Sequence, residues 1–137
     1  MKQKVIGLAI IGVGLIVSGV IWGNSRNRPA GLAQIAAVAN SPQAVMAQVN
    51  AGKASLIDVR TDAEWSAGHA AAATHFDVTR MESGELPALP KDLAIYLYCR
   101  TGHRAGIAKT ILEQNGYTNV VNLGGLSDWQ AAGGPVE

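Results

Sequence analysis

A single cysteine occurs in the 137 residues, and it opens the run Cys99-Arg100-Thr101-Gly102-His103-Arg104. Thiolate sulfur is a strong nucleophile, and two arginines within five residues of it supply fixed positive charge. The apolar run Leu93 to Tyr98 comes before, and a helical pattern from Ala105 to Gln114 comes after. Backbone N–H groups converge at such a strand-to-helix junction, and together with the arginines they stabilise an anionic sulfur. An unpaired cysteine is more often a small buried hydrophobe. Here Arg100, Gly102, His103 and Arg104 are poor core residues and Gly102 permits tight curvature, so the surroundings point to a reactive thiol. The same local charge suits a small anion.

The elements around this run follow from pattern. Ser41-Pro42 reads as an N-cap with proline in the first turn, followed by Val45, Met46 and Val49 at helical spacing. Ser55 to Val59 suits a buried parallel strand, with Asp58 as its one charged residue. Thr61 and Glu64 form a capping box that starts a short helix carrying Trp65. Ala70 to Phe76 fits a strand or, through its four alanines, a helix, and residues 77–92 read as a helix-containing connection. Leu93 to Tyr98 and Asn119 to Leu123 are the remaining strands, and Gly124-Gly125 leads into a short helix with Trp129. Alternating short strands and helices predict a parallel α/β sheet with right-handed crossovers. In such sheets the functional crevice lies beyond the C-terminal strand ends, where Cys99 falls.

The first 28 residues have a different character. Lys2 and Lys4 precede Val5 to Trp22, an uncharged apolar stretch long enough as a helix to approach the thickness of a bilayer. An uncleaved membrane anchor is the favoured expectation, and a cleaved signal segment is the alternative. Residues 29–38 read as a spacer or membrane-proximal helix, and residues 39–137 as the single domain. The inside-positive rule weakly orients the domain toward a bacterial periplasm, and a signal segment would release it there. From Asn40 onward, seven lysines and arginines stand against ten acidic residues, a net charge of −3, which argues against nucleic-acid binding.

Four blocks in order make the chain resemble a single-domain rhodanese, a sulfurtransferase of the thiosulfate type. They are Leu56-Ile57-Asp58-Val59-Arg60, then Glu64-Trp65 with Gly68-His69, then Cys99 to Arg104, and finally Gly124 to Trp129 with Gly133, Pro135 and Val136. The resemblance implies a five-stranded parallel sheet with helices on both faces, preceded here by the apolar N-terminal helix. It also implies a six-residue loop that cradles one extra sulfur, where similar phosphatases and arsenate reductases use the longer C-x5-R loop for a tetrahedral oxyanion. Cys99 to Arg104 counts six. One departure stands out: Gly68-His69-Ala70-Ala71-Ala72-Ala73 replaces the family's frequent Gly-His-Ile-x-Gly-Ala, so a glycine is missing.

Together these features predict that Cys99 takes sulfur from a thiosulfate-like anion and passes it to a thiol or cyanide. Arg100 and Arg104 would bind the donor's anionic end, with Thr101, Gly102 and the loop N–H groups around the persulfide. His103 reads as a loop-shaping or substrate-contacting residue, because departing sulfite needs no proton at neutral pH. Asp58 and Arg60 would fix neighbouring loops by ion pairing, while Trp65 and Trp129 read as core. His69 and His75 read as structural, and no cofactor or metal is implied, there being no second cysteine or tight His/carboxylate cluster. A persulfide carrier or partner-binding module without turnover is the alternative function.

Overall fold

The computed structural model describes residues 30–137. The predicted anchor or signal segment, residues 1–28, lies outside the described residues. Among the described residues, no helix is long and apolar enough to cross a membrane. The predicted spacer forms helix α1 (Ala30–Ala39), consistent with the high helix propensity of its alanines.

Ser41 caps α2 (Pro42–Asn50), its hydroxyl accepting the Ala44 N–H at 3.4 Å, while Pro42 occupies the first turn, where no N–H is needed. Strand β1 (Ala54–Asp58) leads to α3 (Asp62–Ser66), which begins with the predicted capping box. The Glu64 N–H donates to Thr61 Oγ1 at 3.3 Å, and Glu64 Oε2 accepts the Thr61 N–H at 3.2 Å. The order continues with β2 (Thr74–His75), α4 (Val78–Glu82), β3 (Ala94–Cys99), α5 (His103–Gln114), β4 (Val120–Gly125) and α6 (Leu126–Ala131).

Every strand pairing is parallel, and the strands lie in the order β2-β1-β3-β4. Chain direction through the sheet therefore reverses between β1 and β3, the kind of place where open α/β sheets bind ligands. Asp58 pairs in register with Tyr98, so the end of β1 and Cys99 meet at that reversal. Strand side chains alternate between two cores. Ile57, Ile95, Leu97 and Cys99 pack with Met81 of α4 and Ala105, Ala108 and Leu112 of α5. Leu56, Tyr96 and Tyr98 pack on the other face with Val45 of α2 and Trp129 of α6. Helices thus cover both faces, the arrangement that apolar parallel strands require.

The five-stranded expectation is corrected: the described residues form a sheet of four strands. The segment read as a strand from Ala70 to Phe76 pairs only over Thr74–His75. Ala72 has φ +64, which turns the chain out of extended conformation, and Ala70 instead makes an isolated antiparallel bridge to Val136. Ala72 stands where the resembled pattern has a glycine, the residue that adopts this conformation without strain.

Candidate active site

Cys99 is the last residue of β3, and only Arg100, Thr101 and Gly102 separate it from α5. Gly102 has φ +91, and this left-handed turn brings its N–H back to donate to Cys99 Sγ at 3.0 Å. The thiol itself is fully buried at the top of the core beneath α5. Helix α5 therefore starts at His103, two residues earlier than the sequence pattern suggested, and the six-residue run includes the first two residues of the helix.

Strand β4 holds this loop in place. Asn122 Nδ2 donates to the Gly102 carbonyl at 2.9 Å, and Asn122 Oδ1 accepts the Gly124 N–H at 2.8 Å. A Cβ on Gly125 would overlap the Arg100 carbonyl oxygen, so the close approach of the two backbones depends on that glycine. Asn122 was not singled out in the sequence, because an asparagine inside a short strand carries no local signal of what it ties together.

The charged residues separate into paired and unpaired groups. Asp58 is fully buried and receives Arg60 through Nη2 at 2.6 Å, Nε at 2.9 Å and the Arg60 backbone N–H at 2.8 Å. Arg60 Nη2 also donates to the Gly68 carbonyl at 2.7 Å, which ties the end of β1 to the turn after α3. Burial works against the Arg60 charge, but the hydrogen bonds and field of Asp58 outweigh it and raise its pKa. Arg104 makes a bidentate pair with Glu64, Nη1 to Oε2 at 2.7 Å and Nη2 to Oε1 at 2.8 Å. The Arg104 hydrogen bonds hold the Glu64 carboxyl at a pKa of about 2, against the opposing effect of burial. The guanidinium expected to face a substrate is thus engaged by α3, and its partner lies 40 residues earlier in the chain.

Arg100, Thr101 and His103 are exposed. A cleft of about 750 Å³ opens beside the loop, lined by Arg100 and Thr101, by Leu126, Ser127 and Gln130 of α6, and by Arg60, Glu64, Gly68, Val136 and Glu137. Arg100 enters no ion pair among the described residues. Among the same residues, no group of three or more His, Cys, Asp or Glu is arranged to hold a metal ion. Trp65 is corrected from core to a half-buried stack: its ring lies 3.4 Å from that of His69 and 5.2 Å from that of His75, nearly parallel to both.

The family model described as a rhodanese-like domain matches residues 41–132, which include β1, the Cys99 loop and the Gly124-Gly125 buttress. This chain belongs to the rhodanese-like domain family. It is 36% identical over 73 residues to the thiosulfate sulfurtransferase PspE of Escherichia coli, a match covering 53% of this chain and 70% of that protein. It is 38% identical over 79 residues to the probable adenylyltransferase/sulfurtransferase MoeZ of Mycobacterium tuberculosis, covering 56% of this chain. The match spans only 20% of MoeZ, so the rhodanese-like domain here corresponds to one part of that longer protein. Among solved structures, the Alr3790 protein of Anabaena sp. superposes with a TM-score of 0.61 at 26% identity, covering 70% of this chain and 77% of that one. The human single-domain sulfurtransferase TSTD1 shares the fold, with a TM-score of 0.55 at 24% identity over 63% of this chain and 88% of that one.

Proposed function

We propose that this rhodanese-like domain moves sulfane sulfur from thiosulfate or a related anion to a thiol or cyanide through a persulfide on Cys99. The observation that carries this reading is the short loop in which the Gly102 N–H points at Cys99 Sγ, beside a cleft lined by Arg100, which enters no ion pair among the described residues. The Cys99 thiolate attacks the outer sulfur of thiosulfate, the bond between the two donor sulfurs breaks with its electron pair leaving on sulfite, and Cys99 carries a persulfide anion. An acceptor thiolate or cyanide then attacks the outer sulfur and returns the electron pair to Cys99. Arg100 holds the sulfite end during the first step, and the Gly102 N–H stabilises sulfur-centred charge. Arg104, held by Glu64, is a positioning residue that secures the start of α5. The six-residue loop brings its N–H donors closer to sulfur than a C-x5-R loop would, which favours sulfur transfer over phosphate hydrolysis.

Mass spectrometry of the full chain after incubation with thiosulfate tests this directly. The Cys99 peptide should gain about 32 Da, one sulfur, and cyanide or a thiol should remove it. In Cys99→Ala the added mass should be absent and thiosulfate-to-cyanide turnover should fall by at least about a thousandfold. A persulfide that forms once and is passed to no acceptor would establish a carrier in place of an enzyme. Hydrolysis of an aryl phosphate would overturn the loop-length reasoning. The apolar run Val5 to Trp22 supports a further part of the reading, that the domain is anchored to the bacterial inner membrane and faces the periplasm. The N-terminal residue of the protein recovered from membranes tests it: an intact Met1 supports an anchor, and a shortened chain in the soluble periplasm supports a signal segment.

A further inference from the structure

The cleft beside the loop is far larger than thiosulfate or cyanide requires, and its volume of about 750 Å³ falls in the roughly 300–1,000 Å³ range of sites for larger molecules. Its charged walls can be accounted for one by one. Arg60 is held by Asp58, and Glu64 by Arg104. Two charges remain: Arg100, exposed on the loop, and Glu137. The Glu137 carboxylate is 64% exposed, and the one ion-pair partner it has among the described residues is an imidazole, His69 Nε2 at 3.6 Å, which is beyond a good hydrogen bond and charged only when protonated. The backbone beneath it is nonetheless fixed. His69 and Glu137 exchange two N–H to carbonyl bonds of 2.8 Å, the Ala71 N–H donates to the Pro135 carbonyl at 3.0 Å, and Trp129 Nε1 donates to the same carbonyl at 2.9 Å. A carboxylate on a strapped segment and a guanidinium on the sulfur-bearing loop therefore line one cleft, with Leu126 and Val136 as apolar wall between polar groups.

We infer that the acceptor is a small amino-acid-type thiol carrying both an ammonium and a carboxylate, and that Glu137 is the residue that selects it by taking the ammonium. This rests on the sulfurtransferase reading. Donor and acceptor use the site in turn, so Arg100 binds the sulfite end first and the acceptor's carboxylate second. The acceptor thiolate attacks the outer persulfide sulfur, the bond to Cys99 Sγ breaks, and Cys99 leaves as thiolate while the acceptor departs as its own persulfide. Free cyanide has neither charge-bearing arm and gains nothing from Glu137.

The test uses the full chain with thiosulfate as donor and three acceptors: cysteamine, 3-mercaptopropionate and 2-mercaptoethanol. Differences in intrinsic thiol reactivity cancel when each ratio of kcat/KM is compared between wild type and variant. Glu137→Gln should lower the cysteamine-to-mercaptoethanol ratio by about threefold to fivefold, the size of an exposed ion pair. Glu137→Lys should lower it further and raise the mercaptopropionate-to-mercaptoethanol ratio, a gain that damaged folding cannot produce. Ratios unchanged in both variants, with transfer to mercaptoethanol intact, would overturn the role of Glu137 and leave sulfur transfer standing. Failure of every thiol to remove sulfur from Cys99 would overturn both.

Discussion

The ends of β1 and β3 lie side by side in the sheet and are built on opposite plans. At the end of β1, the Asp58 carboxylate is fully buried and Arg60 reaches it through two side-chain nitrogens and its own backbone N–H. At the end of β3, Arg100 and Thr101 face a cleft and the loop is held from behind by Asn122 and Gly125. One end uses its charge to hold the structure and the other leaves charge available for an anion. The difference teaches that an arginine near the thiol is no indicator of substrate contact, because Arg60 and Arg104 are both engaged by carboxylates and Arg100, among the described residues, is not.

The strongest way to break this contrast is to open the sealed end. Asp58→Ala leaves the Arg60 guanidinium buried without its partner and should destabilise the protein by about 3–5 kcal/mol, measured by urea unfolding. A loss below about 1 kcal/mol would show that water compensates Arg60 and that the β1 end is not sealed.

A smaller effect decides to which plan Arg104 belongs. Glu64→Gln keeps a capping side chain at its position in α3 but removes the charge paired with Arg104, at a cost of about 1 kcal/mol at neutral pH. The Glu64 carboxyl titrates at about 2 in the folded protein against 4.5 in the unfolded chain. Its contribution is complete above pH 4.5 and disappears as the pH falls toward about 2, so wild type and variant should converge across that window. Equal stability of the two proteins at pH 7 would mean that the Arg104 guanidinium is free to bind substrate.

The smallest effect concerns the turn leading to β2, where Ala72 sits at φ +64. Ala72→Gly removes the strain of a Cβ in left-handed conformation and should stabilise the fold by about 0.5–1 kcal/mol after the entropy of glycine is counted. A destabilising outcome would show that the turn tolerates alanine without strain.

Much of this was legible in the chain because it is local. Ser41-Pro42, the Thr61–Glu64 capping box and the Cys99 to Gly102 run each act within a few residues, so spacing alone predicts their hydrogen bonds. Short continuous apolar runs likewise assigned Leu56, Ile57, Leu97 and Tyr98 to buried parallel strands. Other features were not legible, because the same residue serves two partners. Glu64 caps its own helix and also reaches Arg104, and only the first relation shows in the spacing. Trp65 read as core because tryptophan is large and apolar, yet it lies half-buried and stacked with two imidazoles.

The sequence by itself determined the parallel α/β class and the place of the lone thiol at a strand end, since these follow from short-range periodicity and backbone chemistry. Tertiary structure alone decided which charges cancel and which remain. It brought Glu64 to Arg104, Asn122 to the Gly102 carbonyl and Glu137 to the cleft wall. Those pairings depend on how crossovers stack strands that are distant in the chain, and a crossover leaves no periodic trace in the residues it brings together.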